Sequence, residues 1–198
     1  MSKVKMNRAS PSLDMTPMVD LAFLLVTFFM LTTKFAPEEP MAVDTPTSVS
    51  VIKIPDTDVL TISIGKDGRI FFNMDGQYNR VELLGKMGEK YGVQFDKTEG
   101  HAFAVMSSLG VPMGNLKQFL DMSIEDRKAV IQPGIPCDSV HNELADWILQ
   151  ARLTNHILRI AIKGDRDAYY PVVKQVIKTL IDRKVNRFNL ITSMEKPS

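Results

Sequence analysis

From Met15 to Thr33 (MTPMVDLAFLLVTFFMLTT) the chain carries a single charged side chain, Asp20. No other stretch limits the possible folds so strongly, because a run this apolar must be withdrawn from water. A bilayer core about 30 Å thick needs about 20 helical residues, and the segment reaches that length only with Asp20 inside it. Leu21, Phe23, Leu24, Leu25, Val26, Phe28, Phe29 and Leu31 each favour insertion by about 0.3–0.6 kcal/mol. An aspartate at the helix centre costs about 2.5–3.5 kcal/mol, and less near an end. Insertion wins. Thr16 suits a helix cap and Pro17 a first turn, where no backbone donor is lost, and Pro37 prevents continuation. The expectation is a transmembrane helix over residues 16–36.

A cleavable signal peptide is the competing reading, with Lys3, Lys5 and Arg8 as its basic region and residues 21–31 as its apolar core. Thr33, Lys34, Phe35 and Ala36 run directly into Pro37 without the small-residue cleavage pattern, so the segment is expected to be retained. The flanks orient it. Lys3, Lys5 and Arg8 precede the span, whereas Glu38, Glu39 and Asp44 follow it, and the basic side stays in the cytoplasm. Residues 1–15 are then a cytoplasmic tail and the remainder is exported, to the periplasm in a Gram-negative cell. The expected location is the inner membrane, crossed once.

Composition narrows the function classes. Of 198 residues, 24 are Lys or Arg and 23 Asp or Glu, a balance unlike the basic excess that neutralises nucleic-acid phosphates. One cysteine, Cys137, precludes an internal disulfide. The three histidines, His101, His141 and His156, lack ligand spacing, so no metal site is expected.

Residues 37–48 (PEEPMAVDTPTS) read as an extended linker, and residues 49–198 as the periplasmic domain. Val49–Ile54 suits an edge strand, able to pair with a second chain as well as its own sheet. Val59–Ile64 and Arg69–Met74 flank Gly65-Lys66-Asp67-Gly68, a hairpin signal. A helix over 81–91 should stop at Gly92. Helices are also expected at 113–122 and 140–153. Leu158, Ile160 and Ile162 alternate with polar or small residues, Val172 to Ile181 follow at helical spacing, and Phe188, Leu190 and Ile191 form a last strand. The fold class is therefore α+β: one transmembrane helix, then a small two-layer α/β domain (hairpin, helix, closing strand–helix–strand) with a partly helical insertion at about 93–140. Phe95, Phe103, Val105, Leu109, Leu116, Phe119 and Leu120 make that insertion too apolar for a solvated loop.

Asp20 is the residue with chemistry to explain. An ionisable group inside a lipid span is costly and points to a functional site. Apolar surroundings disfavour the charged form of a carboxyl, so such a group can load a proton on one side and release it on the other. One elementary charge crossing 100 mV releases about 2.3 kcal/mol. Thr27, seven residues on, places a hydroxyl on the same stripe as Asp20. The bland alternative is a boundary aspartate that reaches the headgroups. Asp14 reads as a boundary charge or helix-entry cap rather than a second relay site, and Asp165 as a helix cap. Ser107 and Ser108 lie near His101 in sequence, without a nucleophile elbow. No catalytic constellation emerges, and no enzyme activity or bound cofactor is expected beyond protons as the coupling ion.

The segment Asp14-Met-Thr-Pro-Met-Val-Asp20 through Thr33 resembles the ExbD/TolR family of biopolymer-transport proteins, and ExbD most. Thr16, Pro17 and Asp20 match its signature of Thr-Pro followed by one intramembrane Asp. Residues 159–170, the following helix and residues 188–192 resemble the family's closing strand–helix–strand. The resemblance implies a proton-carrying role for Asp20, with Thr16, Pro17 and Thr27 on the supporting pore face. It also implies an ExbB-like multi-span partner, a pentameric ring enclosing a dimer of this chain, and a TonB-like protein energised for outer-membrane uptake of ligands such as siderophores. Peptidoglycan is a further partner to consider, and nucleic acid is not. A TolR-like or gliding-type motor subunit shares the same chemistry. A membrane-tethered periplasmic binding domain, with Asp20 incidental, is the reading from a different class.

Overall fold

The computed structural model describes residues 15–32, 43, 47–48, 57–138, 141–191 and 193–194. Two units emerge, residues 1–36 and 37–198. In the first, α1 (Thr16–Thr32) is a helix of 17 residues in which nothing is buried. Among the described residues no helix is long and apolar enough to cross a membrane. At about 1.5 Å per residue, α1 spans about 25 Å, so the expected span of 16–36 is described only as far as Thr32.

The second unit is built on two sheets. Thr47–Ser48 (β1) pair in parallel with Ser193–Met194 (β6), so the last two residues of the expected linker already form a ladder. The expected strand at Val49–Ile54 lies outside the described residues. The larger sheet comprises β2 (Val59–Ile64), β3 (Ile70–Met74), β4 (Arg159–Gly164) and β5 (Phe188–Ile191), in the order β3-β2-β4-β5. β2 and β3 are the expected hairpin, and Gly68 takes a φ of 79° in its turn. β2 runs parallel to β4, and β4 to β5. The helix α7 (Tyr170–Asp182) joins β4 to β5, with Pro171 in its first turn. This is the closing strand–helix–strand expected from the alternation and spacing of its apolar residues.

Period two decides which sheet face is covered. Leu60, Ile62 and Ile64 of β2 are fully buried, while Thr61 and Ser63 between them are half-buried. The buried face meets α2 (Gln77–Tyr91), α6 (Glu143–Thr154) and α7 in one apolar cluster that includes Leu83, Met87, Leu144, Trp147, Ile148, Val176 and Leu180. α2 starts four residues before the expected 81 and ends, as expected, at Gly92, which is left-handed. α6 starts at Glu143 rather than 140, because Asn142 caps it by accepting from the Ala145 N–H at 3.0 Å.

The insertion is part of the domain's core. It forms three helices, α3 (Lys97–Val105), α4 (Met113–Asp121) and α5 (Ile124–Ala129), of which only α4 was expected. Asp96 and Glu99 make a capping box at the start of α3. Phe103, Leu109, Leu116, Phe119 and Leu120 are buried, and Phe95 packs against the same cluster; only Val105 of the seven apolar residues stands exposed. Between α3 and α4 the chain runs along β3, where Phe72 and Leu109 exchange backbone hydrogen bonds of 2.7 Å each way. Arg80 of α2 fastens this segment by donating to the carbonyls of Met74, Ala104 and Met106 and to Asn73 Oδ1. Gly110 is obligatory there, since a Cβ would lie 2.4 Å from the Phe71 ring. The edge strand of the hairpin is thereby covered, which blunts its tendency to pair with other chains.

Candidate functional site

The helix α1 is apolar on every side. Leu21 is 67% exposed, Phe23 66% and Leu31 88%. A helix of this kind is stable only when lipid or other protein surrounds it. Asp20 is its one charged residue. At about 100° per residue, Thr16, Asp20 and Thr27 fall within an arc of about 40°, with Pro17 about 60° from Asp20. Phe23 and Leu24 flank the stripe. Asp20 thus sits among a proline, two threonines and bulky apolar groups, and no basic side chain of α1 offsets its charge.

Thr27 lies on the Asp20 stripe, and its hydroxyl proton is directed to its own helix, with the Phe23 carbonyl at 2.9 Å and that of Leu24 at 3.0 Å. Such back-bonding is the usual resort of a threonine in an apolar helix. The oxygen keeps its capacity to accept, so Thr27 can receive a hydrogen bond from a neighbour but has its donor engaged. Thr32 does likewise towards Phe28 at 2.8 Å.

The structure separates the remaining sequence candidates. Asp14 lies outside the described residues. Asp165 is not the cap of α7, a position held by Tyr169; its Oδ1 accepts from the Asp167 N–H at 2.9 Å in a local turn. The short polar side chain satisfies the loop backbone before the helix begins. His101 is exposed on α3, and Ser107 and Ser108 lie in the segment beside β3. Cys137 is buried with its Sγ 3.4 Å from Thr179 Oγ1, and burial pushes its thiol pKa up, away from the reactive thiolate. Among the described residues no group of three or more His, Cys, Asp or Glu could hold a metal ion.

The family sequence model described as "Biopolymer transport protein ExbD/TolR" matches residues 6–195. The chain belongs to the ExbD/TolR family. The bounds of the match enclose α1, the sheet and the insertion alike. Neither the curated proteins nor the solved structures contain a significant match. Membership makes this a biopolymer-transport protein and leaves the load it serves to be argued from its own residues.

Proposed function

We propose that this chain is the proton-carrying subunit of an inner-membrane motor of the ExbB–ExbD type, anchored by residues 16–36 and converting the proton motive force into work on a TonB-like protein. The observation that carries the reading is a helix apolar all round with one carboxyl on it. Lipid or protein must cover that helix, and a lone carboxyl in such surroundings is costly unless it is used. Protonated, Asp20 is a neutral group that can pass through an apolar contact; ionised, it is drawn towards water or a polar partner. Alternation between those states is the physical basis of coupling, with protons as the only ion required.

The remainder of the assembly is what membership of the family suggests. Two copies supply two carboxyls to a ring of an ExbB-like multi-span protein, a pentamer in the family's arrangement. The periplasmic domain hands force to the TonB-like partner and, through it, to outer-membrane uptake.

The test is Asp20→Asn in the complete complex. Asn keeps the size and polarity but cannot cycle a proton, so energised uptake is expected to fall to the level of cells lacking the chain, with assembly intact. Uptake at the normal rate would remove the proton role and leave a tethered binding domain. Loss of Tol-dependent envelope integrity or of gliding, with uptake unaffected, would transfer the same chemistry to a different load.

A further inference from the structure

The face of the larger sheet opposite the core cluster carries a cavity of about 230 Å³ lined by Thr61, Ser63, Phe71, Asn73, Ser107, Ser108, Lys163 and Ile191. Strand register builds its floor. Ser63 stands between Phe71 on β3 and Lys163 on β4, Lys163 in turn is beside Ile191 on β5, and Thr61 is beside Asn73. The insertion supplies the wall through Ser107 and Ser108. That wall is preformed: the Phe72–Leu109 exchange holds it to β3, Arg80 grips the Met106 carbonyl, and the Gly110 N–H donates to Gln132 Oε1 at 2.7 Å.

The chemistry of the lining is one-sided. Lys163 is the cation, four hydroxyls can donate, and no carboxylate lines the cavity among the described residues. Asn73 Oδ1 is committed to Arg80, so the part of its amide left for another partner is the N–H₂. Phe71 and Ile191 are the apolar part of the lining. We propose that this cavity is a binding site for a small organic oxyanion, a carboxylate or phosphate monoester on a compact apolar body. The oxyanion takes the Lys163 ammonium and the hydroxyl and amide donors, and the body lies against Phe71 and Ile191. Lys163 and Ser107 already have partners within the protein, which the ligand joins or displaces. The volume lies below the roughly 300–1,000 Å³ of sites for drug-sized ligands, which restricts the ligand to a small one. Because the wall belongs to the insertion and the floor to the family's sheet, occupancy would bear on how firmly the insertion is held to the moving domain.

The experiment is calorimetric titration of the full chain in lipid nanodiscs with phenyl phosphate and with benzoate, benzyl alcohol being the neutral control. Expected is saturable binding of at least one anion, with benzyl alcohol weaker by at least about tenfold, equivalent to about 1.4 kcal/mol. Lys163→Met, which keeps the stem and removes the charge, should weaken the anion by a similar factor. Ser63→Leu, which fills the floor, should abolish binding even if the lysine variant misfolds. Absence of saturable binding by both anions overturns the proposal. So does benzyl alcohol binding as well as the anions, or anion binding unchanged in folded Lys163→Met or Ser63→Leu. None of these readouts depends on motor activity, so this site and the proton role of Asp20 stand or fall separately.

Discussion

Replacing Phe103 by alanine tests whether the insertion is part of the core or an appendage on it. Phe103 comes from α3, is 4% exposed, and stacks on Trp147 of α6 with ring centroids 5.9 Å apart and planes at 27°. Phe72 of β3 meets the same indole at 5.4 Å. The three rings therefore join insertion, helix layer and sheet at one point. Truncating a core phenylalanine to alanine costs about 3–5 kcal/mol, as lost transfer energy plus a cavity. Of that, about 0.5–1.5 kcal/mol is ring-to-ring coupling, which a double-mutant cycle with Trp147→Leu, followed by circular dichroism, isolates. Trp147 Nε1 is buried without a hydrogen-bond partner, so Trp147→Leu gives up packing while relieving an unsatisfied donor. Against a typical stability of about 5–15 kcal/mol, the Phe103→Ala loss is large. It corresponds to a fall in Tm of about 6–20 °C at about 2–4 °C per kcal/mol. Trp147 is the only tryptophan in the chain, so its emission during urea unfolding of the full chain in detergent reports on this contact directly. A loss below about 1 kcal/mol would be ordinary for a peripheral site. It would refute the assignment of α3 to the core.

Two further expectations concern titrating groups. Burial raises the pKa of Cys137, with a smaller opposing contribution from Thr179, so the folded state favours the protonated thiol and loses stability as pH rises above the unfolded thiol's value, about 8.5. A maleimide reagent at pH 7.5 should therefore label Cys137 only in urea, and rapid labelling of the folded chain would contradict its burial. The Glu99 backbone N–H holds the Asp96 carboxyl below its usual range, so its contribution is present above the unfolded value, about 3.9, and is lost as pH falls through the lower folded value. Asp96→Asn keeps the cap but removes that titration; the gap between the urea midpoints of the two proteins should close on acidification from pH 6, and a constant gap would contradict it.

The elements legible in the sequence are those whose residues speak for themselves. Leu158, Ile160 and Ile162 alternate because they pack into the core cluster from one face of the chain at β4, and Val176 and Leu180 sit one turn apart because α7 packs into the same cluster. Of the insertion, α4 was legible as a helix and the rest only as a surplus of apolar residues. Lys97–Val105 holds a glycine, a histidine and two alanines beside a single buried aromatic, too weak a period to announce a helix. What makes α3 is a capping box and the tertiary slot for Phe103, which propensity does not report. Nothing near Arg80 in sequence reveals that the carbonyls of Ala104 and Met106 come within its reach. The cavity floor depends on register: Ser63 and Lys163 lie far apart along the chain and become neighbours only when β2 and β4 pair.

For Asp20 the relation is reversed, and the sequence says more than the isolated fold. Its surroundings in a working assembly belong to other molecules, so a single chain leaves it exposed, with the whole of α1, and Thr27 bonded back to its own helix. What identifies it is a mismatch of energies: a helix of mostly apolar side chains retains one whose withdrawal from water costs up to about 2.5–3.5 kcal/mol at a helix centre and less near an end. An apolar residue at position 20 would make a better anchor. A polar residue without a proton to exchange would supply the hydrogen bonding, at lower cost than a carboxylate. Only a group with two charge states uses what the aspartate adds, which is why Asn, and not Leu or Ala, is the substitution that separates a proton carrier from a polar contact.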